Sequence, residues 1–516
     1  MRSCLIAEVA GVVVSDMVFD QYNHGMALPS AIYSAAQVRE LDDYAIQKLG
    51  IPGYTLMKRA GEASLRALRS RWPTAHRIAI VCGGGNNGGD GYVLARFARA
   101  AGLTVSVLAA APIDTLRGDA QRAAEEFLAG GGQVQGFSAG SLEQSEVIVD
   151  ALLGLGARSP LRHEALEVIE AMNTARRPVF ALDLPSGLCA DTGMPLGGAV
   201  RAEATLTFVG LKTGLFVGDG PEYTGTLQFD DLEVTPPAAP EFAPRLLRAS
   251  ESDIARALPR RRRASHKGSF GHVLVVGGGP GMPGAVRLAG ESALRVGAGL
   301  VTVAVAPENV AAISAGCPEL IVVGLDVPQF GELLERADVV AIGPGLGRSA
   351  WAWEVLGVAV TAGKPLVVDA DALNILAEDQ SLRAGNWILT PHPGEAARLL
   401  GIDTAAVQAD RLGALGRLCR KYAGTVVLKG AGTLVGREGD TPQLCERGNP
   451  GMASAGMGDV LTGVIAGVLA QLRDPLAAAR VGVLIHALAG DTAARSGERG
   501  LMARDVIGEL RTWVNI

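Results

Sequence analysis

Twice along this chain an apolar stretch of strand character runs through glycines straight into a helical pattern. HRIAIVCG leads into GGGNNGGDG, residues 83–91, before YVLARFARAAG, and HVLVVGGGPGMPGAVRLAG repeats the order in the second half. A strand that enters a helix through a tight glycine loop is the opening unit of a sheet whose strands are joined by helical crossovers. Each unit is followed by further alternation. LTVSVLAA, VIVDALLG, RPVFALDLPSG and ATLTFVGLK follow the first, and LVTVAVA, ADVVAIGPGLG, PLVVDADALN, NWILTPHPGEAARLLG and GTVVLKGAGTLVG follow the second. AAQVRELDDYAIQKLG and IPGYTLMKRAGEASLRAL supply amphipathic helices ahead of the first strand set. The reading is α/β, with two three-layer αβα domains.

At 516 residues the chain exceeds one ordinary core. The proline-rich LEVTPPAAPEFAPRLL marks the join, placing the domains at residues 30–236 and 249–516 and predicting that they fold independently. The net charge of −6 gives no reason to expect nucleic acid as a partner, and 68 glycines with 4% aromatic residues suit ligand loops between apolar strands. Six cysteines without CxxC pairs indicate neither a disulfide framework nor a zinc knuckle, and predict a reducing cytoplasm. The opening CLIAEVAGVVV is interrupted by Glu8 and lacks a strong basic start, so it does not read as a signal peptide; residues 1–29 are an extension, or Met26 is the true start. The longest apolar run, VLTGVIAGVLAQL, contains glycines and is short for a bilayer, which predicts a core helix and no membrane partner.

In such sheets ligands sit beyond the carboxyl ends of the strands, and the first half concentrates its polar residues there. Asn86, Asn87 and Asp90 follow the first strand, Asp150 ends VIVD, Asp183 and Ser186 follow FAL, and Lys212 ends TFVGLK. Any one of them reads as a turn or cap residue; four strand ends agreeing point to a site. The loop GLGARSPLR, residues 154–162, adds glycines, a serine and an arginine suited to a diphosphate. GGGNNGGDG lacks the GxGxxG spacing, which argues against a conventional dehydrogenase.

In the second half, GNPGMASAGMGD, residues 448–459, precedes the long apolar helix. The backbone N–H groups of Ser454, Ala455, Gly456, Met457 and Gly458 can converge on one oxyanion at the helix N-terminus, forming a phosphate seat. Asp459, in the first turn, is either a helix cap or a base facing the phosphate. No Walker A sequence is present. His392 in PHPGE reads as a ligand contact over a loop histidine, Asp369, Asp371 and Glu395 read equally as caps or magnesium neighbours, and residues 260–263 read as a solvated basic run.

NNGGDG with VDALLG, DLPSGL and FVGLKTGL resembles the NAD(P)H-hydrate epimerase family over residues 30–234, a Rossmann-like domain. The resemblance implies interconversion of the C6 epimers of hydrated NADH and NADPH. It implies that Asn86, Asn87, Gly88, Gly89 and Asp90, with Gly154, Leu155, Gly156, Ala157, Arg158, Ser159 and Pro160, hold the substrate and that Asp183 touches it. Asn87, Asp150 and Ser186 would ligate K+, and Asp90 and Lys212 are the acid/base candidates. HKGSFG, IGPGLG, VDADALN, LTPHPGE, LKGAGT and NPGMASAGMGD resemble the ADP- or ATP-dependent NAD(P)H-hydrate dehydratase family over residues 265–512, a ribokinase-like fold; Met457 stands where a smaller or hydroxyl residue is expected. This implies that Lys429, Gly430, Ala431, Gly432, Thr433 and Gly458 bind ADP or ATP with Mg2+, while Ala285, Gly345, His392 and Asp459 meet the hydrate. Phosphorylation of the C6 hydroxyl would make it a better leaving group. A homo-oligomer is expected. Two other readings stay open on the residues alone: a kinase of an alcohol whose first domain merely binds a dinucleotide, and a nucleotide sensor without turnover.

Overall fold

The computed structural model describes residues 28–157, 160–325 and 327–516. The expectations for residues 1–27, including Met26, and for Arg158 and Ser159 lie outside the described residues.

The first strand, Arg77–Cys82, is buried on both sides, which is why it reads as an unbroken apolar run. Ile78, Ile80 and Cys82 meet the helices Gly53–Arg71, Asn86–Ala100 and Gly118–Ala129, whereas Ala79 and Val81 meet His163–Thr174 on the other face. The result is a three-layer domain. Its seven strands are all parallel, in the spatial order Val134–Gly136, Thr104–Ala109, Arg77–Cys82, Val147–Ala151, Val179–Leu182, Ala204–Phe208, Thr226–Asp230. The chain runs outward from the first strand, returns across it and proceeds the other way. The switch point therefore lies between Arg77–Cys82 and Val147–Ala151.

The second half repeats this plan. His272–Val276 pairs in parallel with Leu300–Val305 on one side and Val339–Ile342 on the other, so it sits at the corresponding switch point. Val273 and Val275 face the helices Pro283–Arg295, Met457–Leu472 and Pro475–Ala493. Leu274 and Val276 face Ala350–Thr361, Ala370–Glu378 and Pro393–Leu400. Met457–Leu472 is a core helix: an added Cβ at Gly463 would stand 2.0 Å from the Ala289 carbonyl oxygen, so the two helix backbones touch. The one described helix long and apolar enough to cross a membrane, Pro475–Ser496, is mostly buried inside this domain.

Two sequence expectations need correction. TFVGLK is not one strand: Ala204–Phe208 belongs to the first sheet, Val209 turns with φ 63°, and Leu211–Lys212 enters the other sheet. The turn holds because Val209 N–H donates to the Asp230 carbonyl at 3.0 Å, and Gly210 leaves room for the Tyr33 ring, 2.9 Å from where its Cβ would be. The join is also more than a linker. Leu246–Arg248 pairs in parallel with Gln443–Cys445 and antiparallel with Ala31–Tyr33, which in turn pairs with Leu211–Lys212. The second sheet thus has twelve strands, three of them from residues before 249.

Candidate active sites

At the first switch point a cavity of about 590 Å³ opens. Its wall includes Asn86, Asn87, Asp90, Gly154, Leu155, Gly156, Ala157, Asp183 and Lys212. Gly88 and Gly89 are not in that wall. A Cβ on Gly88 would lie 2.1 Å from the Gly83 carbonyl oxygen, so this glycine lets the helix start tight against the strand end. Pro160 is exposed beyond the wall.

Lys212, fully buried, donates to Thr207 Oγ1 at 2.9 Å, to the Phe208 carbonyl at 2.8 Å and to Asp183 Oδ1. Asp183 is held at φ 64° while its Oδ1 also accepts from Phe208 N at 3.2 Å. Burial, with the charges of Asp183 and Asp42, pushes the Asp90 carboxyl well above the usual range. Asp42, on the helix Ala35–Gln47, also lines the cavity, and burial raises it to about 6. An amphipathic helix gave no sign that Asp42 belonged to a site. The arrangement offers proton acceptors and, among the described residues of the wall, the cations Lys212 and Arg39 around a shared space.

Beside it, Asp150 is fully buried and accepts from Ser186 N at 2.7 Å, Ser186 Oγ at 2.5 Å and Leu152 N at 3.1 Å. Burial raises its carboxyl to about 6 against those hydrogen bonds. Asn87 Nδ2 and Ser186 Oγ converge on the Leu153 carbonyl, at 2.8 and 3.2 Å. Asn87 Oδ1 is buried with no hydrogen-bond partner among the described residues.

The second switch point brings GGGPGMPG and IGPGLG together. Gly278 N–H donates to the Pro344 carbonyl at 3.0 Å and Gly279 N–H to that of Gly345 at 2.7 Å. Gly345, at φ 56°, would place a Cβ 3.4 Å from that of Ala285, so these two predicted contacts are neighbours. Asn309, buried, braces the first loop by donating to the Gly278 and Gly279 carbonyls, each at 2.9 Å; its sequence context carried no such signal.

The LKGAGT turn and the small-residue loop meet beside this point. Gly458 would place a Cβ 3.4 Å from Lys429 Nζ and 3.7 Å from Asp369 Oδ2. Lys429 Nζ donates to Asp369 Oδ1 at 2.7 Å, and Thr462 Oγ1 to Asp369 Oδ2 at 2.7 Å. Burial and the Asp369 charge raise Asp459 to about 7, against the pull of Lys429. The amides of Ser454, Ala455, Gly456, Met457 and Gly458 have no backbone acceptor among the described residues, so these donors stand free at the helix start. Met457 itself is buried in the core, so its bulk points away from them. His392 caps Pro393–Leu400, accepting from Gly394 N at 3.0 Å through Nδ1, while half of its side chain stays exposed. Burial and the nearby Lys429 lower its pKa, which favours the neutral ring. Asp371 Oδ2 accepts from Gly347 N at 2.9 Å and Glu395 Oε2 from His392 N at 2.8 Å, so both carboxylates serve loops and caps.

A cleft at the first switch point with a buried lysine–carboxylate pair, and at the second a lysine–carboxylate pair beside a helix start that carries Asp459, define an α/β protein of the enzyme class with a candidate site at each switch point. Residues 53–214 match the family model described as YjeF-related protein N-terminus, and residues 273–511 match that of NAD(P)H-hydrate dehydratase. The bifunctional NAD(P)H-hydrate repair enzyme Nnr of Coxiella burnetii is 47% identical over 492 residues, covering 94% of this chain and 100% of the relative. The enzyme of the same description from Escherichia coli is 43% identical, covering 95% of each. A solved structure of ADP/ATP-dependent NAD(P)H-hydrate dehydratase from Bacillus subtilis, co-crystallised with ATP/Mg2+, is 29% identical with a TM-score of 0.47 and covers 51% of this chain and 96% of that one. The chain belongs to the bifunctional NAD(P)H-hydrate repair enzymes, with an epimerase half and a dehydratase half, each built on a mainly parallel α/β sheet. That membership excludes the non-catalytic sensor and the simple alcohol kinase.

Proposed function

We propose that the first cleft equilibrates the R and S hydrates of NADH and NADPH and that the second dehydrates the S form with ADP or ATP. The observation that carries the second half is the position of Asp459: a carboxylate held near pH 7, in the first turn of a helix whose free amides form an anion seat. Hydroxide is a poor leaving group from C6. Asp459 accepts the C6 hydroxyl proton as the oxygen takes the terminal phosphoryl group of the nucleotide, releasing AMP or ADP. The amides of residues 454–458 stabilise the phosphoryl oxygens. Phosphate then leaves with the C6–O electrons and a proton is lost from C5 to solvent, so that the C5–H electrons form the C5=C6 bond and restore the dihydronicotinamide. Ala285, Gly345 and His392 shape the hydrate side of the cleft, and residues 429–433 with Gly458 hold the nucleotide.

In the epimerase cleft Asp90 and Lys212 are the acid/base pair, with residues 86–90 and 154–160 and Asp183 around the substrate. A potassium ion fits beside them. Asn87 Oδ1 is an orphaned buried oxygen, and its side chain shares the Leu153 carbonyl with Ser186, itself bonded to Asp150; together they are an all-oxygen donor set of the kind a hard monovalent cation takes. Bound there, K+ would supply positive charge near the anionic substrate. Mg2+ brought with the nucleotide would offset the charge of the transferring phosphates, while Asp369 stays engaged by Lys429 and Thr462. A homo-oligomer in the cytoplasm completes the reading, and light scattering and fractionation test it.

Purified protein is incubated with a mixture of hydrates and either nucleotide while reduced-nicotinamide absorbance is followed. Complete conversion is expected, and only partial conversion when the first cleft is inactivated. Complete conversion without nucleotide would overturn the dehydratase reading.

A further inference from the structure

Arg411 opens the helix Arg411–Tyr422, and its side chain runs inward, 4% exposed. A buried guanidinium ordinarily has a carboxylate beside it, because an unpaired buried charge costs several kcal/mol. Arg411 has none. Burial alone pushes it down to about 10, with no acidic neighbour contributing, so it stays charged at neutral pH. Asp410, next to it, spends its carboxylate on Gly413 N at 2.9 Å, capping the helix. Arg411 Nε is buried without a hydrogen-bond partner among the described residues.

What the guanidinium does touch is the back of the LKGAGT turn. Nη2 is shared among the carbonyls of Leu428, Lys429 and Gly432, each at 3.3 Å, and Nη1 donates to Gln408 Oε1 at 2.8 Å. A Cβ at Gly430 would come within 3.0 Å of Nη1, so glycine is required for the turn to close over the arginine. With its carbonyls drawn inward, the turn keeps the N–H groups of Gly430, Ala431 and Gly432 free of backbone acceptors, and Gly430 and Ala431 are exposed. A positive charge without a counter-ion among the described residues therefore lies directly behind a row of free amides.

We propose that Arg411 is the positioning residue of the nucleotide site: it folds the turn of residues 429–433 around its guanidinium so that the free amides face the nucleotide's phosphates, and those phosphates supply the counter-charge that the protein withholds. This rests on the reading of residues 429–433 as the nucleotide turn. Arg411 acts through the turn and does not touch the reacting atoms.

The test uses the full-length protein and three probes, adenosine, AMP and ADP, measured by calorimetry against Arg411→Met and Arg411→Lys. Arg411→Met should weaken ADP by at least tenfold, AMP by less, and adenosine by less than twofold. Arg411→Lys, which keeps the charge and loses the multiple contacts, should fall between parent and Arg411→Met for ADP. A purely structural role would weaken all three probes equally, and that outcome overturns the proposal. If Arg411→Met does not fold, the lysine variant carries the test alone, with a graded loss from adenosine to ADP expected and a uniform loss contradicting it. Hydrogen exchange of the parent protein separates the two layers. ADP should protect residues 429–433; no protection there means that the turn is not the nucleotide site, whereas protection with unchanged ADP affinity in both variants means that Arg411 has no such role.

Discussion

Lys429 Nζ lies 2.7 Å from Asp369 Oδ1, and this ion pair joins the LKGAGT turn to the VDADALN strand end. It also determines the state of Asp459. Lys429 is committed to Asp369, so it only partly offsets the burial and the Asp369 charge that raise Asp459 to about 7. Asp369→Asn removes a raising charge and frees the lysine, and both changes lower the Asp459 pKa. The acid limb of dehydratase kcat/KM should move to lower pH by about one unit. Lys429→Met should move it upward. Measured pH profiles in which both variants shift the same way would contradict this coupling.

Asp459→Asn keeps the volume of the side chain and removes the proton acceptor. The rate of nucleotide-driven repair of the S hydrate should fall by about 10²–10⁴, the range for loss of a general base. Epimerisation, followed by chromatography of the two hydrates, should persist. A variant that repairs the S form at near the parent rate would remove Asp459 from the mechanism.

Ser186 Oγ serves Asp150 Oδ1, Leu153 N at 2.7 Å and the Leu153 carbonyl at once. Ser186→Ala removes the acceptor of the partly buried Leu153 amide and one of the two donors to the buried Asp150 Oδ1, at a cost of about 1–3 kcal/mol. A bound cation stabilises the folded state in proportion to its occupancy. The parent protein should therefore melt higher in potassium than in tetramethylammonium at equal ionic strength, and the variant should lose most of that difference. Equal melting temperatures of the parent in the two salts would argue against a functional ion.

Much of this architecture is written locally. Strands such as Arg77–Cys82 are buried on both faces and read as apolar runs, and the glycine loops that follow must be where backbone approaches backbone. Asp90, Asp150, Asp183 and Asp459 could be picked out because strand ends and a helix start are where polar residues face a ligand. What escaped the sequence depends on contacts between distant segments. Ala31–Tyr33, Leu211–Lys212 and Leu246–Arg248 are two or three residues long, too short for a periodicity, and become strands only through one another and through Gln443–Cys445. Lys212 was placed on the wrong strand for that reason, although its Nζ still reaches Asp183. Arg411 and Asp42 stand on helices among other polar residues, and nothing local distinguishes a charge that turns inward.

The shared ribbon bears on how the halves separate. An N-terminal piece of residues 30–236 keeps Ala31–Tyr33 and Leu211–Lys212 as an isolated two-stranded pair, which has little stability of its own. Lys212 is part of that pair, so this piece should epimerise more slowly than the full chain. The start of the C-terminal piece decides whether it can compensate. Beginning at residue 243 retains Leu246–Arg248 on the edge of Gln443–Cys445, whereas beginning at residue 249 deletes the strand and its fully buried Leu246, lowering stability by about 1.5–3 kcal/mol. The longer piece offers Ala31–Tyr33 its antiparallel partner, and open strand edges of this kind re-pair. Mixing residues 30–236 with residues 243–516 should restore the epimerase rate and give a complex on size exclusion; residues 249–516 should do neither. Full epimerase activity in the isolated N-terminal piece would mean that the ribbon orders Lys212 without help from the second sheet.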